Sequence, residues 1–265
     1  MSIPAHELDR LLAAVTGRSR AGLALDRSLD AHDRRRLEDL VARRDAGEPL
    51  QYLEGSAAFG PLDLVVDPRV LIPRPETEQV FEEAARSLGS AGPGTLIVDL
   101  GTGSGALALA LKDRFPEARV IGVDVSEDAL AVAKENGMRT GLEVEWLHGD
   151  LYDPLPERLM GRIDLLISNP PYVAEDEWAA LPVDVRDHEP YGALVAGPDG
   201  TEVLERIAGE AYWWVGVGGW VVCEIGETQG EAVDGLFGAF DREVREDLAG
   251  KDRILVARKG ASCCV

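Results

Sequence analysis

From residue 76 onward, short apolar runs alternate with stretches whose apolar residues recur at helical spacing. Residues 95–101, 119–125, 144–147, 163–168 and 219–225 read as strands, and residues 106–114, 127–136, 202–215 and 231–240 as helices. Strands that are apolar on both sides and separated by helices predict a parallel sheet covered on both faces. Two further strand candidates, 243–248 and 253–258, are joined by a turn at 249–252 that is too short for a parallel crossover, so they must pair antiparallel. The expected class is α/β: a doubly wound, mostly parallel seven-stranded sheet ending in an antiparallel hairpin.

Upstream, Leu8, Leu11, Leu12 and Val15 share one helical face, Gly17 can stop that helix, and Leu37, Leu40 and Val41 repeat the spacing beyond Arg34, Arg35 and Arg36. Two or three short helices fit residues 1–50. Alone they would bury too little apolar surface to be stable, so they should pack on the main domain or on a partner. Residues 56–72 hold β-type runs broken by Gly60-Pro61 and Asp67-Pro68, which predicts a hairpin. The expected division is an N-terminal helical docking part (1–50), a β-hairpin linker (51–75) and a main domain (76–265).

The composition, 45% hydrophobic and 28% charged over 265 residues, is that of a globular protein, and no apolar run reaches the ~18 residues of a membrane span. Residues 1–10 lack the basic and apolar regions of a secretory signal, so a cytoplasmic location is expected. Residues 1–50 carry nine Arg and nine acids, which places the whole net charge of −21 in residues 51–265. Such a field repels phosphate backbones and argues against a nucleic-acid substrate. Three cysteines cannot build a disulfide framework. Cys223 lies in an apolar strand and reads as packing, whereas Cys263 and Cys264 form a tail that is not a C-a-a-X signal because Ser262 stands fourth from the end. His6, His32, His148 and His188 lack metal-ligand spacing, so no metal is expected.

The first strand of the main domain runs into Asp99-Leu-Gly-Thr-Gly-Ser-Gly105. Gly101, Gly103 and Gly105, with Thr102 and Ser104 between them, let the chain turn sharply at the carboxyl edge of the sheet and come close to a ligand. The spacing is G-x-G-x-G, one residue shorter than the dinucleotide fingerprint, which favours S-adenosylmethionine over NAD. Asp124 ends the second strand, 23 residues after Gly101, at an offset suited to ribose hydroxyls. Asp150 closes the third strand; either it caps the next segment, or it or its neighbour Leu151 meets an adenine.

Asn169-Pro170-Pro171-Tyr172 ends the fourth strand. An Asn carboxamide both accepts and donates, so it can grip another planar amide or an amino group. The prolines fix the backbone and leave the Pro170 carbonyl as a rigid acceptor, while Tyr172 offers an aromatic face. Two N–H groups held by the Asn169 oxygen and the Pro170 carbonyl would aim a planar nitrogen at an electrophilic methyl. Arg74, next to Pro75, Glu76 and Glu78, either belongs to a helix start or shapes the site. Arg186, Glu189 and Pro190 lie in a long loop expected to serve as a lid or docking surface.

The segments GEPLQYLEG (47–55), LIPRPETE (71–78), DLGTGSGALALAL (99–111), SNPPY (168–172), DVRDHEPYGALVAGPDG (184–200) and GGWVVCEIGETQGEAV (218–233) together resemble the N5-glutamine methyltransferases that modify the Gly-Gly-Gln glutamine of peptide-chain release factors. The parallel sheet with its antiparallel end is likewise similar to that of the Rossmann-like class I methyltransferases. The resemblance implies that Gly101 to Gly105, Asp124, Leu151 and Asn169 contact S-adenosylmethionine, that Asn169 to Tyr172 hold the substrate glutamine, and that the N-terminal helices dock a release factor. No direct nucleic-acid or membrane partner is implied, and a monomer is expected. The sequence departs from the family in lacking the first helix that many members carry, and in having Leu151 where some have an aromatic residue. Rival readings are glutamine methylation of a ribosomal protein, N-methylation of a nucleic-acid base, which shares the NPPY motif but calls for a basic groove, and recruitment to a small molecule.

Overall fold

A computed structural model describes residues 3–261; Cys263 and Cys264 lie outside the described residues. Four helices, α1 (Ala5–Thr16), α2 (Arg20–Leu25), α3 (Ala31–Asp45) and α4 (Leu50–Glu54), precede an antiparallel hairpin of β1 (Ser56–Phe59) and β2 (Leu62–Val65). α1 stops at Gly17, which takes the left-handed conformation that ends helices without a Cβ penalty. Leu11 of α1 packs with Leu50 and Leu53 of α4, and Leu37, Leu40 and Val41 of α3 lean on them. α4, which crosses residue 50, was not foreseen from the sequence. It joins the helical part to the hairpin through Tyr52, whose cluster with Val66, Val70 and Ile72 also includes Ala129 and Val132 from the main domain.

The main domain runs through α5 (Pro75–Leu88), β3 (Leu96–Leu100), α6 (Ala106–Arg114), β4 (Arg119–Asp124), α7 (Glu127–Thr140), β5 (Glu145–His148), β6 (Ile163–Ser168), β7 (Val173–Ala174), α8 (Val183–Arg186), β8 (Val195–Gly197), α9 (Glu202–Trp214), β9 (Val215–Glu224), α10 (Gly230–Leu236), β10 (Asp241–Glu246) and β11 (Asp252–Arg258). Its seven-stranded sheet has the order β10-β11-β9-β6-β3-β4-β5. β9, β6, β3, β4 and β5 run parallel; β11 is antiparallel to both β9 and β10. The antiparallel end is the one required by the short 249–252 turn.

Alternation along β3 sorts the core into two layers. Leu96, Val98 and Leu100 pack with Leu204, Ile207 and Ala211 of α9 and Val233 of α10. Ile97 faces the other way, among Val80, Phe81 and Ala84 of α5 and Leu107 and Leu111 of α6, and Phe59 and Leu64 of the hairpin extend that layer. The strand order reverses between β3 and β6, which opens a crevice at their carboxyl ends, where ligands of such sheets bind. The buried Ser168 hydroxyl donates to the Leu100 carbonyl at 2.6 Å and so ties the two strand ends together at that point.

Residues 173–197 contain β7, α8 and β8 with short 3-10 turns between them, and are therefore less irregular than the long loop expected. The parallel pairing of β7 with β8 anchors the segment at both ends.

Candidate active site

A cavity of about 520 Å³ occupies the β3–β6 crevice. One wall is built by strand ends and the turns that follow them. Gly101, Gly103 and Gly105 all have positive φ, a conformation costly for any residue with a Cβ. The Gly103 N–H donates to Asp124 Oδ2 at 2.8 Å, and the Ser126 N–H donates to Asp124 Oδ1 at 2.9 Å. Asp124 therefore presents a carboxylate already oriented by two backbone donors, with lone pairs left for hydroxyl groups. Burial pushes its pKa up, and those same N–H bonds pull against that shift.

Leu151 lines the same wall and has φ of 47°, the only positive value at a non-glycine residue among the described residues. Backbone strain of this kind persists where the surroundings over-determine it. Asp150 also lines the cavity, and its carboxylate accepts from Arg206 of α9 at 2.8 Å. Arg206 is thus a cavity residue that the sequence reading missed. Behind the wall, Asp99 is fully buried; its Oδ2 accepts the Thr102 hydroxyl at 2.5 Å, while its Oδ1 has no partner among the described residues. Desolvation raises its pKa to about 7.

The opposite wall is assembled from distant segments. Asn169, Pro170 and Pro171 follow β6 and line the cavity. The Asn169 Nδ2 donates to the Thr77 hydroxyl at 3.1 Å, and that hydroxyl donates to Glu224 Oε2 at 2.7 Å. The Tyr172 hydroxyl donates to the other Glu224 oxygen at 3.2 Å. Glu224 ends β9 and is 1% exposed, and its burial raises its pKa. Gln229 clamps the turn from behind: its amide donates to the carbonyls of Tyr172 and Gly200, both at 3.0 Å, and its oxygen accepts the Gly226 N–H at 2.9 Å. Arg74 stands just before α5 and pairs with the buried Glu189, which pins the 186–193 segment beside Pro73; Pro73 and Pro190 both line the cavity.

Relatives place this geometry in a family. Residues 1–55 match the PrmC N-terminal domain, and residues 81–182 match the methyltransferase small domain. A release factor glutamine methyltransferase of Geobacter sulfurreducens is 40% identical over 259 residues, spanning 96% of this chain and 89% of its own. The Gloeobacter violaceus protein of the same name is 43% identical, spanning 96% and 90%. The chain belongs to the release factor glutamine methyltransferase family. A methyltransferase from Pyrococcus furiosus, 18% identical, shares the fold with a TM-score of 0.57, spanning 83% of this chain and 98% of its own.

This protein is therefore a methyltransferase, and its cofactor is S-adenosylmethionine. The glycine turn and the pre-oriented Asp124 carboxylate offer what a ribose-bearing ligand without phosphate needs, and among the described residues no cluster of cations lines the wall for a pyrophosphate. Arg69 and Arg206 are each paired, with Asp67 at 2.6 Å and Asp150 at 2.8 Å.

The structure gathers Gly101, Thr102, Gly103, Ser104, Asp124, Asp150, Leu151, Asn169, Pro170 and Pro171 around one cavity. Two residues expected at the site stand behind its walls. Gly105 packs against Trp146, where a Cβ would come within 2.9 Å of the ring, so its part is close packing. Tyr172 is not among the residues that line the cavity, and its hydroxyl donates to Glu224. Beyond Arg206, the residues missed were Thr77, Glu224, Gln229 and Asn136. The buried Asn136 accepts the Val65 N–H at 2.6 Å and donates to the carbonyls of Val65 and Ser104 at 3.0 and 2.9 Å, fastening the hairpin to the glycine turn.

Proposed function

We propose that the methyl acceptor is the side-chain amide nitrogen of the Gly-Gly-Gln glutamine in a peptide-chain release factor. The observation that carries this reading is the committed Asn169 amide: its nitrogen is engaged by Thr77, which leaves Oδ1 to accept an N–H from a substrate carboxamide. The Pro170 carbonyl, on a backbone that two prolines stiffen, supplies the second acceptor. S-adenosylmethionine supplies an electrophilic sulfonium methyl when bound. Asn169 and Pro170 hold the carboxamide plane so that the nitrogen's π lone pair, rather than an N–H, meets that methyl. As the C–N bond forms and the C–S bond breaks, positive charge develops on nitrogen, and the two acceptors stabilise it. The proton then leaves to solvent, and no strong general base is required.

The names of the relatives and the paired, non-basic character of the cavity support a protein acceptor over a nucleic-acid one. Residues 1–50, with α3 exposed along most of its length, supply a surface for docking a whole protein. Incubation with isotope-labelled S-adenosylmethionine and candidate release factors, followed by peptide mapping, tests the proposal. The label is expected on the glutamine of Gly-Gly-Gln; label confined to nucleic acid or to a ribosomal protein would overturn it.

A further inference from the structure

An Asn carboxamide has two ends of nearly equal shape and opposite hydrogen-bonding sense, so its neighbours decide which end faces a ligand. At Asn169 the deciding neighbour is the Thr77 hydroxyl, which has a single proton to give. Glu224 Oε2 lies 2.7 Å from Thr77 Oγ1 and accepts the Thr77 proton. The Tyr172 hydroxyl occupies the other Glu224 oxygen, so the carboxylate is committed on both sides. Thr77 is left with lone pairs, and Asn169 Nδ2 donates to it at 3.1 Å. Turning the Asn169 amide over would set its oxygen against the Thr77 oxygen with no proton between them.

Thr77 is 4% exposed and Glu224 1%, so water cannot readily repair such a mismatch. We infer that Thr77, held by Glu224, is a positioning residue that fixes the acceptor end of Asn169 towards the substrate and so makes the site choose a carboxamide over a carboxylate. The inference rests on the acceptor role proposed for Asn169 above. A glutamine brings an N–H to Asn169 Oδ1. A glutamate in its place brings a carboxylate oxygen, and two acceptors then face each other. The relay therefore excludes the deamidated form of the substrate, which has no nitrogen to methylate and would otherwise block the enzyme.

The test uses the full chain with Thr77→Val, which keeps the shape and removes the hydroxyl, and Thr77→Ser, which keeps the hydroxyl. The readings are kcat and KM for a release factor, inhibition by a Gly-Gly-Glu peptide, cofactor affinity by calorimetry, and Tm. In Thr77→Val the Asn169 amide loses its anchor; kcat is expected to fall roughly tenfold or more, and Gly-Gly-Glu to inhibit roughly tenfold more tightly, as expected for a freed buried polar contact. Thr77→Ser should restore both. If Thr77→Val fails to fold, Thr77→Ala carries the same expectation with a smaller side chain. A fall in kcat with unchanged Gly-Gly-Glu inhibition, or Thr77→Ser behaving like Thr77→Val, would overturn the positioning role. Asn169→Ala separates the two layers. Its retention of full turnover would remove the Asn169 reading itself, whereas loss in Asn169→Ala beside a neutral Thr77→Val would remove only the relay.

Discussion

The two walls of the cavity are built in different ways. The cofactor wall consists of three strand ends and the turns directly after them, at residues 100–104, 124–126 and 149–151, and its key bonds run between adjacent parallel strands, as from Gly103 to Asp124. The acceptor wall has no such local origin. Asn169 depends on Thr77, 92 residues away; Thr77 depends on Glu224, 147 residues away; and Arg74 reaches Glu189 across 115 residues. The first wall follows from the fold's general way of ending strands, whereas the second must be assembled by side chains from α5, β6, β9 and the 186–193 segment. The two walls should therefore fail separately, the one in cofactor affinity and the other in turnover and choice of acceptor.

Asn169→Ala should give the largest effect. Loss of one pre-oriented acceptor at developing charge lowers kcat by about 10²–10³ while cofactor affinity stays near its original value. A parallel loss of cofactor affinity would merge the two walls and break the comparison. Asp124→Ala should do the reverse: S-adenosylmethionine affinity, measured by calorimetry, is expected to weaken by about 10–100-fold, the range for charged hydrogen bonds. Normal affinity would remove Asp124 from ribose binding.

The smallest effect concerns stability. Unfolded Asp99 has the ordinary value of 3.8, and burial raises it to about 7 in the fold. The native state thus prefers the protonated form; the stability this contributes is fully present below the unfolded value and is lost as pH rises through about 7. Asp99→Asn keeps an acceptor for the Thr102 hydroxyl and cannot ionise, so its Tm advantage over the parent should grow between about pH 5 and about pH 8. A constant difference across that range would show that Asp99 carries no burial penalty.

The difference between the walls also explains what could be read from the sequence. Strand β6 and helix α6 have the bounds expected, because apolar runs with clear breaks set both ends. β9 starts at Val215, four residues before the expected 219, since Gly216, Gly218 and Gly219 hide an extended stretch that pairs with Ile163. α7 continues to Thr140, where Gly141 in the left-handed conformation ends it, and α10 stops at Leu236 while Phe237 and Phe240 turn into the core. The glycine turn, Asp124 and Asn169 were legible because each sits at the end of an apolar run. Thr77, Glu224, Gln229 and Asn136 were not, because a polar residue inside a helix or at a strand end reveals its partner only once the chain has folded. Four of the six segments that resemble the family, 71–78, 168–172, 184–200 and 218–233, supply the acceptor wall and its supports.

The most direct test of the central claim is a crystal structure of the enzyme with S-adenosylhomocysteine and a Gly-Gly-Gln peptide. The account predicts the glutamine amide nitrogen between Asn169 Oδ1 and the Pro170 carbonyl, facing the thioether sulfur, with Asn169 Nδ2 still on Thr77. A glutamine bound elsewhere, or an Asn169 amide turned so that its nitrogen meets the substrate, would contradict it.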